Sequence, residues 1–369
     1  MTILIIDNST AFTGAFKCAL NEAVLLSTEH RFVFVLNNNS TLIPLLKGKG
    51  ITVYTLPMVE IKRSIGVLLL YPFALLRNTF SLLNIIRKEQ VDAVQVNDFY
   101  NLLGAMSRIF GFKGKLLTYV RFLPSVMPGP LRKLWVSCGL RYSHRVIAVS
   151  DTVLKQLPAH AKAMRVYDPV QLTENLPAKD YAAKDTISIL YLANYIQGKG
   201  QDAALDAFAP AYEQNKNIRL IFMGGDMGLD KNKEFKYKLE QHSKELGLGD
   251  AVQFAPFNSN VEESIKEADI VLNFSEAESF SMTCLEAAFY GTPLIATRCG
   301  GPEEIVEHGR TGITVPVKDI NAMRDAILTL AFDNTLRKQY ATAGKEYVRN
   351  KFNIETYKQQ MRQILATET

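Results

Sequence analysis

The chain has no run long enough to cross a bilayer as a helix. Its longest uncharged apolar stretch, Ser64 to Leu76, is 13 residues and carries Pro72, whereas a span needs roughly 18 or more. Cysteine is scarce: Cys18, Cys138, Cys284 and Cys299 show no CxxC spacing, which argues against disulfide staples or a zinc site and for reduced thiols. The five histidines (His30, His144, His160, His242, His308) lack metal-ligand spacing, and neither an HExxH nor a nucleophile elbow occurs. There is no GxGxxG, no Walker loop and no Asp-x-Asp pair, so a dinucleotide fingerprint, P-loop chemistry and an acidic clamp for a metal–diphosphate are all missing. Ile3-Leu4-Ile5-Ile6 is too short for a secretory h-region and runs straight into Asp7. These absences lead us to expect a soluble, cytoplasmic protein.

What remains is globular. Of 369 residues, 47% are hydrophobic and 21% charged, near the usual average. That length suggests about two domains. The charge is split. Residues 1–175 hold 20 Lys and Arg against 10 Asp and Glu, a balance of +10; residues 176–369 hold 22 against 27, a balance of −5. Either this is scattered solubility charge, or the first half faces something anionic, a phosphorylated acceptor or a membrane surface. Ile61-Lys62-Arg63 and Arg87-Lys88 bracket an apolar segment with Val67, Leu68, Leu69, Leu70, Phe73, Leu75 and Leu76. Such a segment suits a bilayer interface or a buried helix. Nucleic acid is not an expected partner, since no interleaved basic–aromatic motif accompanies the charge.

Short apolar runs alternate with helical patterns, which predicts an α/β fold with parallel sheets. Strands are expected at Thr2–Asp7, Phe32–Leu36, Ile51–Leu56, Ala93–Val96, Leu116–Val120 and Val146–Val149. A polar, proline-bearing linker follows from Pro169 to Asp185. The alternation resumes with strands at Ile187–Leu192, Ile218–Met223, Val252–Phe254, Ile270–Phe274 and Leu294–Ala296. Helices are expected at Gly14–Ser27, Leu75–Lys88, Gln201–Gln214, Glu234–Leu246 and Phe280–Tyr290, and the tail Ile320–Ala366 reads as helical throughout. Two such units predict two Rossmann-like domains, residues 1–172 and 173–352, with ligands at the carboxyl ends of the strands. The helix at 353–369 is expected to be able to pack back on the first.

Four features carry chemistry. In Ser275 to Glu286, Glu278 and Glu286 are eight apart. With a helix starting near Phe280, Glu278 precedes its N-terminus and Glu286 lies two turns in. The unpaired N–H groups of Ser281 to Thr283 suit a phosphate or a hydroxyl-rich ligand. Equally, Glu278 is an ordinary N-terminal helix charge and Glu286 a solvated one. Gly198-Lys199-Gly200 places a lysine at a helix start, where it reaches a diphosphate or simply faces solvent. Gly14, after the first strand, lets backbone approach a ligand or forms an ordinary turn. Gly300-Gly301-Pro302-Glu303-Glu304 offers a backbone turn close to a ligand or just a helix start.

Together these pieces resemble the retaining GT-B glycosyltransferases of family 4, the glycosyl transferases group 1. The likeness is strongest over 187–316: Glu278 and Glu286 as the signature pair, with Ser275, Phe280, Ala287-Ala288, Gly291-Thr292-Pro293, Gly300-Gly301-x-x-Glu304 and Gly309-x-x-Gly312 around them. Ala193–Gly200 is similar to the family's Gly-Arg-x4-Lys-Gly element. The first half matches more loosely, through Gly14, Glu29-His30-x-x-Val33, Val146–Ser150 and Val166–Val170.

The resemblance implies a GT-B fold, two Rossmann-like domains facing across a cleft, with a nucleotide-sugar donor on the second and a saccharide or lipid-linked acceptor on the first. It implies retention of configuration, cell-surface polysaccharide or glycolipid synthesis, and neither metal nor cofactor. By residue, it gives Lys199 the diphosphate, Glu278 the donor sugar and Glu286 the ribose. Asn194, Phe280, Ser281, Met282, Thr283, Gly14 and Gly224 would contribute donor contacts. Three positions depart from the family. Asn194 stands at its phosphate arginine, Gly14 at its paired glycine, and Arg121 at a histidine of the first domain. Arg121, or Arg298, is then a candidate for the missing positive charge. The alternatives are a nucleotide-sugar epimerase or hydrolase of the same plan and a non-catalytic sugar-nucleotide-binding homologue or partner. The basic first half also fits a place at the inner face of a membrane.

Overall fold

A computed structural model describes residues 1–59, 65–169, 179, 184–258 and 261–366, the side chains of 65–69 excepted. The chain divides into two compact units, Met1–Gln171 with Ile354–Thr369, and Leu172–Asn353. Most of the expected linker Pro169–Asp185 lies outside the described residues.

The first unit is a parallel sheet of seven strands: β1 (Thr2–Ile6), β2 (Arg31–Asn37), β3 (Thr52–Leu56), β4 (Ala93–Val96), β5 (Lys115–Val120), β6 (Arg145–Ala148) and β7 (Ala163–Arg165). Their order is 3-2-1-4-5-6-7. Runs such as Leu4-Ile5-Ile6 and Val33-Phe34-Val35 are buried, as strands covered on both faces require. The order reverses between β1 and β4, so the carboxyl edge there is a natural crevice. After β1 the chain turns into the helix Gly14–Leu25, where Thr13 caps the first turn by accepting the N–H of Phe16 at 3.2 Å. Such a cap stabilises by about 1 kcal/mol.

The second unit repeats the plan with β8 (Ile187–Leu192), β9 (Ile218–Met223), β10 (Val252–Ala255), β11 (Ile270–Asn273), β12 (Leu294–Thr297) and β13 (Gly312–Val315). The order is 10-9-8-11-12-13, all parallel. Its core packs Tyr191, Tyr195, Phe208, Phe222 and Phe274, each almost fully buried. Each aromatic or aliphatic side chain taken from water contributes roughly 1.5–3 kcal/mol before entropic costs. The reversal here falls between β8 and β11, and that register fixes the site described below.

Three expectations are corrected. The sequence pattern places a helix at Leu75–Lys88, beyond Pro72. The helix in fact runs Ile65–Glu89 through Pro72, which is exposed. The tail is not continuous but forms helices Ile320–Phe332, Asn334–Lys351 and Ile354–Ala366. Asp333 leaves helical backbone to accept the N–H of Leu336 at 2.8 Å, which ends one helix and caps the next. The last helix belongs to the first unit. There Arg362 pairs with Glu29 at 2.6 Å, and Tyr357 and Met361 are buried. Finally, β7 and β13 are strands that sequence reading passes over. No helix among the described residues is long and apolar enough to cross a membrane.

Candidate active site

The loops leaving β8 and β11 bring Lys199 and Glu278 together. Lys199 Nζ lies 2.6 Å from Glu278 Oε1 although 79 positions separate them. The same carboxylate oxygen accepts from Ser275 Oγ at 2.9 Å. The Lys199 side chain keeps 31% of its surface and Glu278 14%. Both are therefore reachable by a ligand, and a pair this exposed adds less than about 1 kcal/mol to stability. Its consequence is positional: an ammonium and a carboxylate are held side by side at the switch point of the sheet.

The scaffold beneath the pair is backbone. Tyr191, buried in β8, donates its hydroxyl to the Lys199 carbonyl at 2.5 Å and accepts the Phe274 N–H at 2.8 Å. Glu276 N–H donates to Gly198 O at 2.9 Å, and Gly301 N–H donates to Glu278 O at 2.8 Å. The Glu278 loop is thus strung between Gly198-Lys199-Gly200 on one side and Gly300-Gly301 on the other. Tyr191 is a member of this site that sequence reading overlooks. Nothing in an apolar strand distinguishes a bridging tyrosine from a packing one.

Gly200 makes the arrangement possible. Its φ is +80°, and an added Cβ would sit 2.0 Å from the Phe274 carbonyl oxygen. Gly200→Ala is therefore expected to destabilise the second unit by about 2 kcal/mol or more, and to displace Lys199 even where the protein still folds. A thermal-unfolding midpoint within about 1 °C of the parent would show that the loop gives way freely.

The helix after Glu278 runs Met282–Tyr290, two residues later than expected. Ser281 explains the delay. Its backbone has φ 88° and ψ 88°, which costs a non-glycine residue roughly 1–3 kcal/mol. It is held there because its hydroxyl oxygen accepts from Cys284 N–H at 3.3 Å and from Asn273 Nδ2 at 3.0 Å. The N–H groups of Met282 and Thr283 open the helix and have no intrahelical acceptor. Phe280 is buried and meets the Phe352 ring edge-on at 5.3 Å. Glu286 lies in this helix and is 5% exposed. Covalent thiol chemistry is disfavoured here. Burial raises the Cys284 thiol well above its ordinary value and pushes Cys299 up to about 12.

Asn194, where the resemblance expects an arginine, accepts the Gly225 N–H on its side-chain oxygen at 3.1 Å. It thereby ties the loop after β8 to the loop after β9. Gly224 lies in that second loop, and a Cβ there would fall 1.9 Å from Ala193 O. Arg298, the second candidate for a compensating cation, donates to the Thr314 carbonyl at 3.1 Å. Lys199, Glu278, Phe280–Thr283, Asn194, Gly224 and Glu286 thus all belong to loops or the helix at the carboxyl side of β8, β9 and β11.

Arg121 and Gly14 belong to the first unit. Gly14 is the first residue of its helix. Arg121 follows β5 and is buried, with Nη1 2.5 Å from Asp168 Oδ2 and Nε 2.6 Å from Asn97 Oδ1. Its guanidinium lies over the Tyr119 ring at 4.4 Å. Burial works against the charge, and Asp168, Cys18 and Tyr119 together more than offset it, which holds the guanidinium charged. Nearby, burial raises the Asp98 and Glu22 carboxyls to about 7 each. Among the described residues no cluster of His, Cys, Asp and Glu could hold a metal ion.

Residues 173–347 match the family model for glycosyl transferases group 1. Among curated proteins, the chain is 30% identical over 230 residues to N-acetyl-alpha-D-glucosaminyl L-malate synthase of Bacillus anthracis, covering 59% of this chain and 58% of that one. It is 24% identical over 211 residues to the lipopolysaccharide core biosynthesis glycosyltransferase LpsE of Rhizobium meliloti, 56% of this chain and 59% of that one. The matches thus span under three fifths of the length of these two relatives. Among solved structures, HepE of Anabaena in complex with UDP and glucose superposes with a TM-score of 0.83 at 20% identity, over 99% of each chain. That likeness establishes a shared fold.

Proposed function

Residues 173–347 belong to the glycosyl transferases group 1 family, and from that premise we propose that the chain moves a sugar from a nucleotide-sugar donor to a saccharide or lipid-linked acceptor, with retention of configuration. The observation that carries the reading is the ion pair of Lys199 and Glu278 at the sheet's switch point, 2.6 Å apart and both accessible. A donor diphosphate would displace Glu278 from Lys199. The freed carboxylate would then accept hydrogen bonds from donor-sugar hydroxyls.

The chemistry asks for little more. The bond from anomeric carbon to phosphate oxygen breaks, the acceptor oxygen takes its place on the same face, and the acceptor's proton leaves with the diphosphate. Negative charge grows on the leaving group. Lys199 and the N–H groups opening the helix Met282–Tyr290 would stabilise it without a metal or cofactor. Glu286 would hold the ribose diol. The loops of Asn194 and Gly224 would flank the nucleotide, and Phe280 to Thr283 the sugar. A relative named for lipopolysaccharide core biosynthesis supports a role in cell-surface polysaccharide or glycolipid assembly, and the +10 balance of residues 1–175 supports a place for the cytoplasmic protein against the membrane's anionic inner face.

Thermal unfolding against a panel of nucleotide sugars tests the donor half. A true donor at a hundredfold excess over its Kd should stabilise by about 2.7 kcal/mol and raise the midpoint by several degrees. Adding the right acceptor should then release nucleoside diphosphate one-for-one with glycoside. Failure of every nucleotide sugar to shift the midpoint would overturn the reading. Epimerised donor accumulating without acceptor would replace transfer by epimerisation.

A further inference from the structure

The helix Ile65–Glu89 has two apolar faces, and only one is buried. Leu82, Leu83 and Ile86 are sunk in the core, and Asn78 donates to the Pro57 carbonyl at 3.0 Å. That side anchors the helix. On the opposite side, Leu70, Phe73, Arg77, Phe80, Asn84 and Arg87 are all exposed. At 100° per residue they fall in one stripe. Leu70 keeps 65% of its surface, Phe73 74% and Phe80 50%. The patch continues onto the end of the helix Leu103–Ile109, where Ile109 is 50% exposed and Phe110, which caps the helix, 41%. The rings of Phe80 and Phe110 meet edge-on at 5.3 Å. Scattered apolar residues on a surface are ordinary, but a contiguous patch with several large side chains is not.

The charge around the patch is one-sided. The sequence holds no Asp or Glu from 61 to 88 or from 99 to 150. Residues 61–150 carry 13 Lys and Arg against three acids. That balance equals the whole net charge of residues 1–175, so the positive character of the first half is concentrated in the stretch that contains the patch.

We propose that this stripe docks the first unit on an anionic lipid bilayer. Phe73, Phe80 and Phe110 would enter the boundary between headgroups and acyl chains, while Arg77 and Arg87 reach lipid phosphates. Aromatic rings and long cationic side chains on one helical face suit a surface apolar at depth and anionic above. A second copy of the chain fits worse. A two-fold interface would set Arg77 and Arg87 against a like-charged surface with no acid on the stripe to meet them. The inference deepens the membrane part of the function proposed above and is independent of sugar transfer.

Flotation of the full chain with vesicles of phosphatidylcholine alone, or with one-quarter phosphatidylglycerol, tests it. The protein should float with the anionic vesicles and not with the neutral ones, and release as salt is raised. Phe73→Ser with Phe80→Ser, and separately Arg77→Glu with Arg87→Glu, should each lower the bound-to-free ratio tenfold or more. Both pairs should leave the unfolding midpoint and donor binding unchanged. Parent protein that floats with neither vesicle overturns the proposal together with the membrane placement, and leaves sugar transfer standing. Variants that float like the parent move the contact elsewhere and overturn this face alone. A dimer in light scattering that dissociates in Phe73→Ser would assign the stripe to a second copy.

Discussion

Lys199→Ala is expected to lower the rate of sugar transfer by roughly 10²–10³-fold while leaving the fold intact. The size follows from what the ammonium would do. A preorganised charge aimed at a group that becomes more negative in the transition state is worth about 3–4 kcal/mol in a partly desolvated site. The position where the resemblance expects an arginine offers no second cation. Asn194 stands there, and its side-chain oxygen is used to hold Gly225. The stability cost should be small, because Lys199 is 31% exposed and Glu278 14%, so water can solvate the carboxylate left behind. Lys199→Arg should recover only part of the rate, since a planar fork does not reproduce a compact point charge on this loop. Nucleoside diphosphate release under saturating donor and acceptor, read beside thermal unfolding, gives the answer. A rate within threefold of the parent would remove Lys199 from the leaving-group role. A large fall in the unfolding midpoint would recast it as structural.

The sequence carries much of this architecture and little of its closest contacts. The strands with the densest β-branched and aromatic runs, such as Ile187–Leu192 and Ile218–Met223, stand where their pattern predicts. The two strands passed over are the poorest in signal. β7 is three half-buried residues at a sheet edge, and β13 begins on Gly312 just after a turn at Gly309. The start of the helix after Glu278 is misplaced because propensity cannot anticipate Ser281 at φ 88°, a strained conformation held by Asn273 and Cys284. The break at Asp333 was legible in principle, since Asp before Asn-Thr-Leu is a cap signal. A continuous apolar rhythm on both sides masks it. The contact of Lys199 with Glu278 is of another kind. It depends on β11 lying beside β8 and not beside β10, and strand order is set by the packing of whole units, not by any spacing in the chain.

Glu286→Ala is expected to separate binding from chemistry. If this carboxylate accepts both hydroxyls of the donor ribose, losing it removes charge-assisted hydrogen bonds of about 1.5–3 kcal/mol. The ribose is remote from the breaking bond, so the interaction is the same in ground state and transition state. Its loss should raise KM for the donor by roughly 10–100-fold and leave kcat within a factor of about two. Lys199→Ala should do the reverse. Because Glu286 is only 5% exposed, a fold defect must be distinguished from a lost ligand contact, and the donor itself provides the control. A 2′-deoxyribose donor should bind the parent protein more weakly than the ribose donor. In Glu286→Ala that penalty should vanish, since the partner of the 2′-hydroxyl is already gone, and the difference is the pairwise coupling energy of a mutant cycle. A structural role would weaken both donors alike and preserve the penalty. Persistence of the full 2′-deoxy penalty in the variant, or a fall in kcat at constant KM, would detach Glu286 from the ribose and with it the orientation of the nucleotide along the helix Met282–Tyr290.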